Sequence, residues 1–565
     1  MEGDSDISYI RGQGSPDVPY IDIPSLMKLH AERTPDAVMQ IAVDWETFEK
    51  ETLTFSELYN CSMKLAKGLH HVGVKKGDIV ALGTDNTPEW MVSMIGAMMC
   101  GASCLLFPFN RKDGKDVASA LSKIGERCKI MIFPPGKNDV YLPIVENIFK
   151  GGSVKGNVYC ETSESLEKAI IMNRRSSTSS KYLTVGDVME MNEGSWVQPQ
   201  IDPENTAVIL MTSGSTGTPK LIPHSHLSLL MTGFQFSIGY GVSKGKLLND
   251  RIFSWIGGFP CWEITTGGTR VYLKHVAAIP SIDMYLDAIQ HVFTKENIDG
   301  SLLMPRAISQ IAERNLKTWN LKNVSIGGRP VSFAVVKYLL PLCRKLFVLY
   351  GSTEVCMNTY FPCEKDMEYP DFICGKPFPG VEVKVVDKDG VLLKRGTRGE
   401  AYVRSVVRFN GYLKDEERTS AVLDMNGWYR MGDSTIMTVD GNIIVEGRIA
   451  DSLIESGDRL LSASVSYIES HLIQNRLIKD VEVLTVNDRN NLTRICCAII
   501  WEEGTRMTDE ELEEYLMDSK QYNVTLYSRL DADIKFFSFE NFPKTHNGKV
   551  DRKEVSMQCQ KHLNG

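Results

Sequence analysis

The stretch Ala207–Lys220, AVILMTSGSTGTPK, decides the reading of this chain. Its first five residues form an unbroken apolar run of the kind a buried strand shows. The next nine, Thr212–Lys220, hold two glycines, a proline and five Ser/Thr residues. After His224 an apolar helix is predicted to about Phe236. Strand, glycine-rich loop and helix in that order present backbone N–H groups to an anion. Thr212, Ser213, Gly214, Ser215, Thr216 and Gly217 supply hydroxyls and amides that can wrap a pyrophosphate, and Lys220 adds a point charge. The loop does not fit G-x-x-x-x-G-K-[ST], which disfavours a P-loop. A Ser/Thr/Gly cluster alone reads better as a flexible loop. The strand before it and the Pro-Lys at its end reverse that judgement.

Working outward, Ile21 to about Trp196 alternates helix-like and strand-like segments. Leu58, Leu65 and Leu69 recur on one side of a helix predicted over Thr54–Val72. Asp78–Gly83 and Lys129–Pro134 read as short strands. This predicts a layered α/β domain with largely parallel strands. Gly151–Gly194 reads as a surface excursion with little core, and residues 1–20 as a disordered lead-in. Further strands are expected at Leu302–Met304, Val324–Ile326 and Leu346–Tyr350, and ligands in such sheets sit beyond the strands' carboxyl ends. Val381–Glu446 alternates with period two around Asp-Gly turns, which predicts a β-rich part with hairpins. From residue 449 to 565 a small α+β domain is expected.

The bulk numbers fit this picture. A chain of 565 residues needs more than one core, and 43% hydrophobic with 24% charged residues is ordinary for a globular protein. The net charge of −8 without a long basic run argues against non-specific nucleic-acid binding. Met91–Phe109 is the most apolar run, but Gly96, Gly101 and Pro108 interrupt it, so a core helix is expected rather than a membrane span. The N-terminus has no apolar signal core, the C-terminus reads HLNG rather than SKL, and the 13 cysteines show no framework spacing. An intracellular location, cytoplasmic or with an organelle, is the expectation. Cys496 and Cys497, inside RICCAII, are expected to be core thiols.

Three further motifs follow. In Tyr350–Glu354, YGSTE, an aromatic at a strand end can stack on a base, and Gly351 permits close approach. Ser352 and Thr353 offer hydroxyls, and Glu354 is a hard oxygen ligand suited to Mg²⁺. In GWYRMGD, Asp433 sits where a carboxylate can accept two ribose hydroxyls, with Arg448 downstream. In PKTHNGK, the Asn547-Gly548 turn exposes Lys549 as a cation that can be delivered into a site. Alone, YGSTE reads better as a turn with a surface glutamate and Lys549 as an exposed surface lysine, while Asp433 also fits a turn cap and Arg448 a surface ion pair. His224 and His226 lack partner ligands, so positioning the junction before the helix is favoured over metal binding.

Taken in order, these motifs make the chain resemble the acyl-adenylate-forming (AMP-binding) enzymes, such as acyl-CoA synthetases, 4-coumarate-CoA ligases and beetle luciferases. The likeness runs from about Ile21 to the C-terminus and includes IGGRP (Ile326–Pro330) and Gly447-Arg448. It implies a large N-terminal domain (21–448) and a mobile C-terminal lid (449–565). It also implies that a carboxylate attacks the α-phosphate of ATP to give acyl-AMP, which a thiol, usually of CoA, then attacks. By the resemblance, Thr212–Lys220 holds pyrophosphate and Glu354 holds Mg²⁺. Tyr350 and Gly328 bracket the adenine, Asp433 and Arg448 hold the ribose, and Lys549, Thr353 and Lys220 serve the chemistry. The substrate pocket falls on Trp255, Gly257, Phe259, Gly327 and Gly328, where Trp255, Phe259 and the nearby Trp262 fit either a bulky apolar or aromatic acid or the core. The chain departs from the family at the hinge, which is Ala450, and at Ser462, Ser464 and Ser466. Pro260 stands where the family's pocket segment has His. The changes between Ala450 and Ser466 leave open a non-CoA acceptor. The remaining alternative is a catalytically weak family member that binds an acyl-adenylate or nucleotide, and intact Lys220, Glu354, Asp433 and Lys549 argue against it.

Overall fold

The computed structural model describes residues 6–109, 111–149, 156–173, 181–191, 195–212, 219–303, 321–407, 409–449, 465–473, 475–489, 493–517, 534–543 and 550–564. Two large sheets dominate. The first has seven strands, in the order Lys220–Ser225, Thr206–Thr212, Ser103–Phe107, Ile79–Gly83, Cys128–Phe133, Lys168–Ile171 and Leu183–Thr184. All its pairings are parallel except the first. Its inner strands Ile79–Gly83, Ser103–Phe107 and Cys128–Phe133 read as largely apolar runs because both faces are covered.

The expected helix forms over Phe55–His71. Thr54 caps it in a reciprocal box with Glu57, and its Leu58, Leu65 and Leu69 face is fully buried. Met91–Phe109 is not one helix. Pro88–Met99 is helical, Gly101 turns with φ +74°, and Ser103–Phe107 is a buried strand. Among the described residues no helix is long and apolar enough to cross a membrane.

Two expectations are corrected. Part of Gly151–Gly194 is core: Lys168–Ile171 extends the seven-stranded sheet, and Ala169, Ile170, Val185 and Val188 are fully buried. Within the expected lead-in, Tyr9–Arg11 forms an antiparallel strand against Val381–Val386, and the Tyr9 hydroxyl donates to Glu382 at 2.6 Å. Low hydrophobicity hid this strand because edge pairing uses backbone groups rather than apolar side chains.

The second sheet has fourteen strands among the described residues. Its middle is the parallel set Gly300–Leu303, Leu321–Gly327 and Cys343–Ser352. Val381–Val386, Arg398–Ser405, Tyr429–Met437 and Ile443–Arg448 form the expected antiparallel part. They join the parallel set through Ile373–Pro377 and Cys356–Cys363. The carboxyl end of Cys343–Ser352 lies beside the antiparallel part, where Tyr350 reaches Asp433.

Toward the C-terminus, Ile478–Asn487, Thr493–Trp501 and Ile534–Ser538 form a three-stranded sheet. Val465–Leu472 and Asp509–Met517 cover one face, and Arg552–Asn564 covers the other. Cys497 faces the helix pair and Cys496 the single helix, both fully buried, so the paired thiols are core. Among the described residues, this unit meets the rest of the chain through Tyr467 and through an arginine–glutamate cluster. Tyr467 packs edge-on against Phe372, with ring centroids 4.7 Å apart. Arg329, directly after Gly328, reaches Glu482 at 2.7 Å and Glu469 at 3.5 Å, and Arg552 joins Glu482 at 2.8 Å. Burial and the neighbouring Glu482 carboxylate push Glu469 upward, and the two arginines oppose this.

Replacing Arg552 with alanine leaves two carboxylates, one of them fully buried, sharing Arg329. Stripping one partner from a buried ion pair costs about 3 kcal/mol. Arg552→Ala should lower the urea midpoint of the C-terminal unit, followed by tryptophan emission from Trp501. An unchanged midpoint would show that the cluster carries no net stabilisation.

Candidate active site

The Thr212–Lys220 segment closes a hairpin. Thr206–Thr212 and Lys220–Ser225 pair antiparallel, with Lys220 opposite Thr212 and His224 opposite Val208. The helix His226–Gly239 starts only after Ser225, which caps it. The expected strand–loop–helix order is thus corrected to strand–loop–strand–helix. Lys220–Ser225 is an edge strand, so Pro223 is tolerated there without a missing ladder bond. Ser213, Gly214, Ser215, Thr216 and Gly217 lie outside the described residues. Thr212 and Lys220 are placed as the two posts of the loop.

Lys220 points at a carboxylate through a phenol. Its Nζ lies 3.1 Å from the Tyr412 hydroxyl, and that hydroxyl donates to Glu354 Oε1 at 2.8 Å. The ammonium also sits 4.7 Å from the Tyr412 ring centre, within cation–π range. Burial, reinforced by Glu354, raises the Tyr412 hydroxyl well above its ordinary value, so it stays protonated as a donor. Tyr429 is raised in the same way by burial and by Glu354. Neither tyrosine was expected at the site. Tyr412 lies 58 residues from Glu354 in the chain, and FNGYL carries no local pattern that announces a phenol over a distant carboxylate.

YGSTE ends one strand and begins a tight return. Cys343–Ser352 pairs antiparallel with Cys356–Cys363, and Ser352 faces Cys356 across a turn that holds Thr353 and Glu354. Gly351 is required there: a Cβ would come 2.0 Å from the Cys356 carbonyl oxygen. His224 reaches this turn from the hairpin, its Nε2 2.8 Å from the Thr353 carbonyl. Burial pushes the imidazole down to about 4, so it is neutral near pH 7. His226 is lowered to about 4 for the same reason and accepts a 3.4 Å bond from the Ile23 amide. Both histidines position chain segments.

On the other side of the turn, the Tyr350 hydroxyl donates to Asp433 Oδ2 at 2.5 Å. Asp433 and Arg448 are direct cross-strand partners, 3.3 Å apart, beside a register shift at Ser434/Thr435. Arg448 also donates to the Met431 carbonyl at 2.6 Å. Its pKa is raised first by Asp433, against burial, with smaller contributions from Tyr350, Tyr429 and Glu354. Those contributions place the two clusters, Lys220–Tyr412–Glu354 and Tyr350–Asp433–Arg448, in one electrostatic neighbourhood.

The expected pocket residues divide. Trp255 is half-buried: the Cβ position of Gly328 lies 3.6 Å from its ring and that of Gly257 lies 2.7 Å away. Gly328 has φ +85°, which glycine alone adopts without strain. Gly327 backs onto the Leu349 carbonyl. Phe259 is 2% exposed and packs edge-on against Trp90, while Trp262 is buried with its indole N–H on the Val242 carbonyl. Of the alternatives open for these aromatics, Phe259 and Trp262 fall in the core, and Trp255 lines the glycine turn. Ala450, Ser462, Ser464 and Lys549 lie outside the described residues. Ser466 is described, in the helix Val465–Leu472.

Among the described residues no three His, Cys, Asp or Glu side chains converge as a metal cage. Glu354, 9% exposed and already oriented by Tyr412, fits the other arrangement, in which Mg²⁺ takes one carboxylate and fills its shell with phosphate oxygens and water.

Comparison with known proteins decides the family. The AMP-binding enzyme family matches residues 27–413, most of the chain. The chain belongs to the AMP-binding enzymes. A 4-coumarate–CoA ligase, CCL1 of Humulus lupulus, is 26% identical over 89% of this chain and 88% of the relative. The mitochondrial medium-chain acyl-CoA ligase ACSF2 of Danio rerio is 25% identical over 98% and 91%. Among solved structures, the anthranilate CoA ligase AuaEII in complex with anthranoyl-AMP superposes with a TM-score of 0.78 at 19% identity, over 97% of this chain and 99% of that one. The amide bond synthetase McbA from Marinactinospora thermotolerans gives 0.72 at 21%, over 95% and 100%. This AMP-binding enzyme therefore has the adenylate-forming fold, and its family is one of ligases.

The Tyr412 bridge is testable. Tyr412→Phe removes the donor to a nearly buried carboxylate, a loss of about 1–3 kcal/mol. Mg-ATP binding measured by calorimetry should weaken roughly ten-fold, with the fold intact by circular dichroism. Unchanged affinity would show that the Lys220–Tyr412–Glu354 chain plays no part in nucleotide binding.

Proposed function

We propose that this AMP-binding enzyme activates a carboxylic acid with ATP and passes the acyl group to the thiol of CoA. The observation that carries the reading is the meeting of Lys220, Asp433 and Arg448 with Tyr350 and Glu354 at the carboxyl end of the strand Cys343–Ser352. The acid's oxygen attacks the α-phosphorus in line, the bond to pyrophosphate breaks, and acyl-AMP forms. The thiol then adds to the acyl carbon and AMP leaves.

Each residue has a role in positioning or charge neutralisation, the two means by which such displacements are catalysed. Lys220 and the loop from Thr212 through Ser213, Gly214, Ser215, Thr216 and Gly217 take the pyrophosphate. Mg²⁺ held by Glu354 would neutralise phosphate charge. Tyr350, Gly351 and Gly328 bracket the adenine, and Ser352 and Thr353 offer hydroxyls at the phosphate side. Asp433 accepts from the ribose hydroxyls, already oriented by Tyr350 and Arg448. Trp255, between Gly257 and Gly328, forms a flat wall suited to an aromatic or fatty acid. The similarity to a 4-coumarate–CoA ligase and a medium-chain acyl-CoA ligase supports the same acid classes and the CoA acceptor. Residues 21–448 serve as the nucleotide-binding body, and 449–565 as a lid that brings Lys549 to the reacting oxygens and turns about Ala450.

A second reading keeps the adenylation and changes the acceptor to a carrier-protein thiol, an amine or a hydroxyl. Ala450, Ser462, Ser464 and Ser466 favour it, because they alter the hinge and the lid rather than the nucleotide residues. The comparable fold of an amide bond synthetase shows that the architecture is used with other acceptors.

Lys549→Ala should cut acid-dependent pyrophosphate release by roughly 10²–10³ while ATP binding persists. Near-normal release would remove Lys549 from the chemistry. Run on the wild type with fatty and aromatic acids, with and without CoA, the same assay separates the acceptors. Acyl-CoA with AMP supports the first reading, and acyl-AMP that accumulates despite CoA supports the second.

A further inference from the structure

His224 has no role in the chemistry proposed above, yet it touches the site. It lies four residues past Lys220 on the same edge strand and is 1% exposed. Its Nε2 is 2.8 Å from the carbonyl oxygen of Thr353. A carbonyl only accepts, so Nε2 carries the hydrogen. The other ring nitrogen, Nδ1, is buried with no hydrogen-bond partner among the described residues. An unsatisfied buried acceptor is costly. Packing alone does not explain it, because Leu221 and Ile222 fill neighbouring buried positions of the same strand without that cost.

The Thr353 carbonyl explains it. That oxygen belongs to the peptide whose nitrogen is Glu354's, in the short turn between paired Ser352 and Cys356. Cys356 itself holds φ +54°, so the turn is constrained at its far end. Fixing the Thr353–Glu354 peptide plane fixes the position of the Glu354 Cα, from which the side chain departs. Tyr412 then holds the carboxylate end at 2.8 Å. The glutamate is gripped twice, at its peptide by the Lys220 strand and at its oxygen by the residue that also bonds Lys220.

We infer that His224 is a positioning residue for Glu354. By clamping the Thr353–Glu354 peptide to the strand that carries Lys220, it sets where the carboxylate meets the cation of a bound Mg-nucleotide. The inference rests on the reading that this site takes Mg-ATP. His224 acts only through Glu354, so its effect belongs to the Mg²⁺-dependent part of nucleotide affinity.

The test is calorimetric titration of the full chain with ATP and no carboxylic acid, once in excess Mg²⁺ and once in EDTA. Three chains are compared: wild type, His224→Gln, whose amide can still donate to the carbonyl, and His224→Met, which fills similar space and cannot. The expected result is a loss of about ten-fold in the Mg²⁺-dependent gain for His224→Met, the scale seen when groups behind a metal ligand are removed. His224→Gln should recover most of it, and affinity in EDTA should be equal in all three. A His224→Met chain with the wild-type gain overturns the assignment, as does an equal loss in the glutamine and methionine chains. If the methionine chain does not fold, His224→Ala read with and without added imidazole replaces it: recovery of the gain supports the assignment and no recovery overturns it. A wild-type chain whose ATP affinity ignores Mg²⁺ overturns the Mg-ATP reading and the assignment together, whereas the other outcomes bear on His224 alone.

Discussion

The hydroxyl of Tyr412 is the point on which the site depends. It bonds to Glu354 and Lys220 at once, and so ties together three segments that are far apart in the chain. A buried carboxylate without a donor is costly, and a lysine free in solvent is mobile. One phenol settles both, because burial keeps it protonated and its ring faces the ammonium. The hairpin, the Ser352–Cys356 turn and the antiparallel part of the large sheet must therefore be registered against one another. The bulge at Ser434/Thr435 and the close approach at Gly351 are local means of keeping that register.

A second cluster repeats the logic. Asp433 is held between Tyr350 and Arg448, one donor from the parallel strands and one from its own hairpin. The carboxylate is thus oriented before any ligand arrives. Such preorganisation lowers the ordering cost of binding, because side-chain freedom is already lost in the fold. Arg329 adds a link of another kind: it follows Gly328 directly and ends on two carboxylates of the C-terminal unit. The glycine turn beside Trp255 and the docking of that unit therefore share one backbone segment.

How much was legible in the sequence follows from what periodicity and motif order encode. The capped helix Phe55–His71, the strand Thr206–Thr212 and the Asp-Gly hairpins after Val381 carry their signals locally, and they form as read. The family was also legible, since its motifs stand in order along the chain. Strand Tyr9–Arg11 was missed because its pairing uses backbone groups supplied from residue 381 onward. The step from loop to strand at Lys220 was missed because Pro223 and His224 mask an edge strand. Tyr412 and Tyr429 were missed because nothing local marks a residue whose partner is fifty or more positions away. Trp255 and Phe259 look alike in the sequence, and only packing separates a wall residue from a core residue.

The central claim is that an oxygen of the acid becomes bonded to the α-phosphorus of ATP. The direct measurement is turnover with a carboxylic acid labelled with ¹⁸O in both carboxyl oxygens, with the released AMP read by mass spectrometry. The account predicts one ¹⁸O in AMP per acyl group transferred. Label appearing in inorganic phosphate, or AMP released without label, would contradict it.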